Sequence, residues 1–193
     1  IDSLGFIWAA TDYGLVHFNG NDFEDFEGKL SSNYIKSVIS TNNGKIFVNT
    51  DLGFEEISIK NNIESAKIIK KGGTQQSDSL LWYPKQFYND TKNNLWFSDN
   101  SAVYKFHNGT LQRYYLGIEN IPHSYVHSFS FFENGFSNLI LVSNTGNFYK
   151  YDYIKDDISP IDVTFEIDNV TGVQKITEGH ILIGFNNMLG EMF

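Results

Sequence analysis

Short runs in which apolar and polar residues alternate fill most of this chain. Clear cases are Tyr34-Ile-Lys-Ser-Val-Ile39, Lys85-Gln-Phe-Tyr88, Tyr125-Val-His-Ser-Phe-Ser-Phe131 and Val170-Thr-Gly-Val-Gln-Lys-Ile176. A period of two sends successive side chains to opposite faces of a pleated strand, whereas an amphipathic helix needs a period of about 3.6. No long run of helix formers shows that longer period, and segment 63–71, which would fit one or two helical turns, also alternates as a strand does. Between the runs sit Asn19-Gly20 and Asn108-Gly109, the residue choice of two-residue hairpin turns. The pattern predicts an all-β chain of many short strands.

A frame of the form Ile-Trp-x-x-Thr-x-x-Gly-Leu recurs within that pattern. Its best copy lies in Asp2-Ser-Leu-Gly-Phe-Ile-Trp-Ala-Ala-Thr-Asp-Tyr-Gly-Leu15, anchored on Trp8. Weaker copies are Ile46-Phe-Val-Asn-Thr-Asp-Leu-Gly-Phe54, Leu95-Trp-Phe-Ser-Asp-Asn-Ser-Ala-Val103, Leu139-Ile-Leu-Val-Ser-Asn-Thr-Gly-Asn147 and Ile181-Leu-Ile-Gly-Phe-Asn-Asn-Met-Leu189. Anchors at 8, 47, 96, 140 and 182 are spaced by 39, 49, 44 and 42 residues. Such a period is that of β-propeller blades, four antiparallel strands in about 40 to 50 residues. Each anchor strand enters a tight turn and returns as a second strand (Leu15-Val-His-Phe18, Phe148-Tyr-Lys-Tyr151). An outer strand follows (Phe23-Glu-Asp-Phe26, Ile63-Glu-Ser-Ala-Lys-Ile68, Leu111-Gln-Arg-Tyr-Tyr115), and the alternating run ahead of each frame is the innermost strand.

The period divides 1–193 into a partial blade at 1–33, blades at 34–69, 84–116 and 125–167, and a partial blade at 170–193. The terminal halves would complete one blade by swapping strands in a small closed ring; the expectation is instead an arc of about four to five blades of a larger propeller. The long second interval places extra residues at 70–82. That loop, Gly72-Gly-Thr-Gln-Gln-Ser-Asp-Ser-Leu-Leu-Trp-Tyr83, is polar at its start and aromatic at its end. It shares one face of the disc with the frame turns, and loops on a rigid scaffold are where binding resides.

Composition adds several exclusions. Aromatics make up 16% of the chain, with 17 Phe and 11 Tyr, in keeping with strands. A formal net charge of −9 disfavours nucleic acid as a partner, and Lys67-Ile-Ile-Lys-Lys71 is a solvated strand end too short to reverse that. The chain has no cysteine, hence neither disulfides nor thiolate zinc sites. No apolar stretch approaches the about 20 residues of a transmembrane helix, so no membrane contact is expected of this segment. No signal peptide occurs, although the chain starts without Met and in mid-motif, which is compatible with removal of a leader.

The run Asp2 to Leu15, then Phe18-x-Gly-x-x-Phe23, then Leu30-Ser-Ser-Asn-x-Ile-x-Ser-Val38, resembles the two-component regulator propeller repeat. The first copy matches closely, the second moderately and the others loosely. Proteins built from this repeat are mostly large bacterial hybrid sensor kinases and related regulators, especially of gut and marine Bacteroidetes. The resemblance implies a seven-bladed type of propeller in a periplasmic or extracellular sensor region, often in tandem with a second. It further implies a Tyr-rich β-sandwich, a membrane helix and a cytoplasmic histidine kinase elsewhere in a parent chain. Many such proteins sense breakdown products of complex polysaccharides. The repeat marks blade geometry rather than a pocket, so it implies function only by association.

Residue chemistry outside the repeat is sparse. Trp8 and Trp96 belong to packing between adjacent blades rather than to sugar stacking; Thr11, Thr50 and Ser143 satisfy backbone groups at the turn, and Asp2 caps one. His123 and His127 are four apart, about 13 Å along a strand, too far to share a metal. His17, His107 and His180 lack partners at ligand spacing, and Glu24, Asp25 and Glu27 form a solvated edge. No Asp-x-Asp-x-Asp-Gly loop, Gly-x-Ser-x-Gly, His-Glu-x-x-His or phosphate-cradling motif occurs. Asn89, Asn108 and Asn169 open Asn-x-Thr triplets, which matter only in a eukaryotic secretory pathway. No catalytic residue, metal or cofactor is expected. What remains is the loop face, with ligand candidates Asp12, Tyr13, Asp51, Trp82, Tyr83, Asp99, Asn100, Asn144 and Asn186. Asp and Asn favour such turns on their own account, so these residues are turn formers by type and ligand candidates by position.

The sequence therefore points to a non-catalytic extracytoplasmic sensing or relay segment whose partners are an oligosaccharide, the remaining blades and neighbouring domains of a parent chain, and, in one arrangement, a second copy as a homodimer. An interaction scaffold in cell-surface assembly or secretion is the alternative. A propeller lyase or glycosidase is third, because no repeat-aligned set of carboxylates or histidines is present.

Overall fold

The structure, a computed structural model, describes residues 1–11, 13–60, 63–74, 77, 79–116, 128–134 and 138–192. Five sheets follow one another along the chain. The first holds β1 (Ile7–Thr11), β2 (Gly14–Phe18) and β3 (Phe23–Asp25). The second holds β4 (Ile35–Ser40), β5 (Ile46–Thr50), β6 (Gly53–Lys60), β7 (Ile63–Gly73) and β8 (Leu81–Trp82). The third holds β9 (Tyr88–Asn89), β10 (Leu95–Ser98), β11 (Val103–His107) and β12 (Thr110–Tyr114); the fourth β13 (Phe129–Asn134), β14 (Asn138–Ser143), β15 (Phe148–Asp152) and β16 (Asp157–Ile161). The last holds β17 (Val170–Thr177), β18 (His180–Phe185) and β19 (Met188–Met192). Every pairing is antiparallel except β7 with β8. Among the described residues there is no helix. The fold is all-β, a β-propeller of successive antiparallel sheets.

Alternation along the anchor strand wedges each sheet between its neighbours. In β5, Ile46 and Val48 join Leu15, Phe26 and Trp8 of the preceding sheet, while Phe47 points the other way into a cluster with Leu95, Phe97 and Phe106. In β10, Leu95 and Phe97 face back, and Trp96 faces forward onto Phe131, Leu139 and Tyr151. In β14, Leu139 and Leu141 face back, and Ile140 and Val142 face forward onto Ile181 and Ile183. Four apolar clusters thus join five sheets in chain order, and Trp8, Phe47, Trp96 and Ile140 hold the same forward-facing station. Trp96 is fully buried, and an aromatic of that size removes about 150 to 250 Å² from water.

The link into each of the first three anchor strands is one repeated turn. Asp2 N–H donates to Phe6 O (2.9 Å) and Gly5 N–H to Asp2 O (3.1 Å); Thr41 with Lys45 and Gly44, and Asp90 with Asn94 and Asn93, do the same. Where the anchor is Trp, the turn opens with an aspartate that takes the indole proton: Trp8 Nε1 donates to Asp2 Oδ2 and Trp96 Nε1 to Asp90 Oδ2, both at 2.8 Å. Where the anchor is Phe47, with no proton to place, the aspartate is replaced by Thr41.

Several elements depart from the sequence reading. The run 85–88 is not a full inner strand: only Tyr88 pairs with β10, through β9, and Lys85 N–H donates to Ser98 O (2.7 Å). Pro84 supplies no N–H, and Tyr83 takes a positive φ of 54°, so the ladder cannot run through them. The stretch 70–82, read as a loop, contributes the end of β7 and the parallel strand β8, which makes the second sheet five-stranded. Of the expected inner strand 125–131, residues 125–127 lie outside the described residues, as does His123. Segment 63–71, for which a helical turn or two was weighed, lies in β7.

Candidate functional site

The frame turn follows the anchor strand in every sheet, joining first to second strand in the three-stranded first sheet and second to third strand in the other four, so it falls at the same end of each sheet. One backbone hydrogen bond repeats there. Asp51 N–H donates to Tyr34 O (3.2 Å), Asn100 N–H to Trp82 O (2.8 Å), Asn144 N–H to Ser128 O (2.9 Å) and Asn186 N–H to Asn169 O (3.4 Å). The bond pins each turn to the chain entering the same blade. It also explains why short polar residues recur at these positions, since such side chains tolerate turn geometry.

The turn interiors are closed by hydroxyls. Thr11 Oγ1 donates to Gly14 O (2.8 Å) and accepts from Tyr13 N–H (3.2 Å); Thr50 Oγ1 holds Gly53 O and Leu52 N–H in the same way, and Ser143 Oγ accepts from Asn147 N–H (2.9 Å). In the third copy Asp99 takes the threonine's place. It is fully buried and accepts from Ser101 N–H and Oγ–H, Ala102 N–H, Trp82 N–H and the Tyr104 hydroxyl, all within 2.9 Å. As a ligand contact Asp99 is therefore displaced: its oxygens face inward and are occupied. Beside that carboxylate, burial first and the Asp99 charge second push the Tyr104 hydroxyl well above its usual range.

The other candidates divide by what their side chains already do. Asn144 Oδ1 accepts from Ser128 N–H (3.2 Å), and Asn186 Oδ1 from Asn169 Nδ2 (2.9 Å). Asp51 Oδ1 and Asn100 Oδ1 are buried acceptors with no hydrogen-bond partner among the described residues, a costly state. Tyr13 is 93% exposed, and Trp82 and Tyr83 are half-buried. Asp12 lies outside the described residues.

Sequence reasoning missed two lysines beside these turns. Tyr34-Ile-Lys36 and Tyr83-Pro-Lys85 place the same Tyr-x-Lys triplet 13 residues ahead of the anchors Phe47 and Trp96. In both, the ammonium sits over its own triplet's tyrosine ring, 5.9 Å from the centroid for Lys36 and 5.8 Å for Lys85. Phe87 N–H donates to Ser37 Oγ (3.1 Å) and Asn49 Nδ2 to Lys85 O (2.8 Å), which draws the two inner paths together. Lys85 is half-buried; that burial and the Lys36 charge hold its ammonium below the usual lysine range, with Asp99 opposing. Aligning the copies thirteen residues upstream of each anchor would have exposed the pair; the frame alone does not reach that far.

Two concavities adjoin this face and the axis. One, of about 580 Å³, lies between the turn 145–147, β16 and residues 162–168, with Asn186 on its rim. The other, of about 470 Å³, runs along the inner strands between Phe87, Tyr88, Phe131, Glu133 and Lys175. Tyr88 on its wall is pushed up to about 12 by burial, with Glu133 adding to the shift. Among the described residues no group of three or more His, Asp or Glu side chains is placed to hold a metal ion, and no helix is long and apolar enough to cross a membrane.

No family model matches the chain, and no curated protein matches it in sequence. Solved structures do match in fold. The extracellular domain of the putative hybrid two-component system BT4673 from B. thetaiotaomicron aligns with a TM-score of 0.76 at 17% identity, covering 100% of this chain and 26% of that one. The corresponding domain of BT3049 from the same organism gives 0.69 at 17% identity, over 100% and 27%. Virginiamycin B lyase from Staphylococcus aureus gives 0.65 at 13% identity, over 99% and 67%. The chain thus spans about a quarter of the length of the two extracellular domains. At these identities the likeness is one of fold.

Proposed function

We propose that this chain is a non-catalytic, extracytoplasmic ligand-sensing segment of a two-component sensor's propeller, and that it receives an oligosaccharide at the loop face. The observation that carries the reading is the alignment of the whole chain with extracellular domains of hybrid two-component systems at a TM-score of 0.76. The loop face supports it from the residue side: exposed Tyr13 and half-buried Trp82 and Tyr83 are groups that stack on sugar rings. The free face of the first sheet carries a cross-strand row, Ile7, Phe18 and Phe23, with Phe23 76% exposed. That row is the surface through which such a segment would meet a further blade. A ligand that binds one blade arrangement better than another shifts their equilibrium by that difference, which is the signal.

Calorimetry and thermal melting of the chain against a panel of neutral and charged oligosaccharides test the reading. One saccharide class is expected to bind and, at a concentration about 100 times its Kd, to stabilise the fold by about 2.7 kcal/mol. A panel that leaves melting and heat flat removes the oligosaccharide. The lyase reading draws on the 0.65 alignment with virginiamycin B lyase; turnover of a streptogramin B by this chain would replace the sensing reading.

A further inference from the structure

We propose that Tyr34-x-Lys36 and Tyr83-x-Lys85 on adjacent blades form one site for an anionic substituent, a carboxylate or sulfate carried on a saccharide ring. This rests on the reading that the loop face receives an oligosaccharide and specifies its charge. Acidic residues outnumber basic ones in this chain, 23 to 14, yet neither lysine takes part in an ion pair among the described residues. Asp99, the acid that acts on Lys85, already accepts from five donors. The Phe87 N–H to Ser37 Oγ and Asn49 Nδ2 to Lys85 O hydrogen bonds draw the two triplets' chain paths together, and like charges carried on them, one half-buried, repel until an anion joins them.

The surroundings fit a ring that carries the charge rather than a bare ion. Each ammonium is paired with a phenol ring, and a saccharide stacked on Tyr34 or Tyr83 would bring its acidic group to the lysines. Tyr83 is held at a φ of 54°, where a bulky residue is strained, and such strain persists where the surroundings enforce one orientation. The blade itself does not demand the triplet. The fifth copy carries Asn169-Val-Thr171 at the same distance from its anchor and still forms its frame turn.

The test is calorimetry on the chain with an oligogalacturonate, a sulfated disaccharide, a neutral galacto-oligosaccharide and inorganic sulfate. The acidic saccharides are expected to bind with an affinity that falls as sodium chloride is added. Lys36→Gln and Lys85→Gln should each weaken binding by about tenfold or more, as loss of a charge-assisted contact implies, and Lys85→Arg should retain most of it. Lys36 is exposed, so that variant keeps the fold, which melting verifies. If the neutral sugar binds as tightly as its acidic counterparts and Lys36→Gln changes nothing, sugar sensing stands and the anionic site falls. If no saccharide binds, both fall. Inorganic sulfate binding as tightly as the disaccharide removes the ring from the proposal. Preference for the uronate or the sulfate identifies which acid the pair takes.

Discussion

Asp90 concentrates as much bonding as Asp99 does in the frame. Its carboxylate is 1% exposed and accepts from Lys92 N–H, Asn94 N–H, Asn94 Nδ2, Trp96 Nε1 and the Tyr153 hydroxyl. An amide in its place would turn an NH₂ towards donors. Asp90→Asn is therefore expected to cost about 2 to 3 kcal/mol, measured as a shift of the urea midpoint with unchanged slope. Asp2→Asn removes the same indole bond at a half-exposed site and should cost only about 1 kcal/mol. Equal losses at the two sites would mean that burial does not set the strength of this bond.

Turns set the register of each blade at the level of elements. The Asn108-Gly109 hairpin has φ of 48° and 82°, the mirror-image turn whose twist matches the strands it joins. Gly146 shares a φ of 82°, but a Cβ there would lie 1.8 Å from Ile167 O, whereas at Gly109 it would meet nothing within 4 Å. Gly109→Ala should cost about 1 kcal/mol from conformation alone, and Gly146→Ala clearly more, because the connection into β17 has to move. Thermal melts of the two variants compare them directly; equal melting temperatures would contradict the tight approach. The faintness of the fifth frame has the same origin. Asn186 and Asn187 both take positive φ, 45° and 61°, so the two-residue turn between Phe185 and Met188 needs neither the threonine nor the glycine that flank the same turn at Thr11 and Gly14.

Each sheet of the whole molecule is held through its neighbours, and the third and fourth are tied by more than apolar packing. Asp156, on the β15–β16 turn, accepts from Lys105, Gln112, Tyr114 and Tyr151. Burial acts to raise its carboxyl, but the Lys105, Tyr114 and Tyr151 hydrogen bonds outweigh it and hold the group well below the usual carboxylate range. A carboxylate so depressed stabilises the fold above the ordinary value of 3.8, and that contribution is lost as pH falls through the folded-state pKa. Because its side chain is 47% exposed, solvent screening limits the effect to about 1 kcal/mol. Asp156→Asn should lower stability at pH 7 by about that amount and flatten the acid limb of a stability–pH curve below about pH 4. An unchanged acid limb would place that limb's origin in other carboxylates.

Period, strand type and turn chemistry were local properties, and residues 1–54 spelled them out: Asp2, Trp8, Thr11 and Gly14 act within a few positions of one another. That is why an all-β propeller was legible without coordinates. The broken inner path at 83–87 was less so, although Pro84 marked it. The tertiary structure alone decided what the loop-face letters do. Asp99 reads as an exposed turn residue but is buried, because Trp82 and Tyr104, 17 and 5 positions away, bring their donors to it. Lys36 and Lys85 stand 49 positions apart, and their chain paths are drawn together only because two blades pack side by side. A hydrogen bond to a near neighbour leaves its mark in adjacent letters. A charge that meets another across a blade interface leaves none, since the distance between them is set by packing.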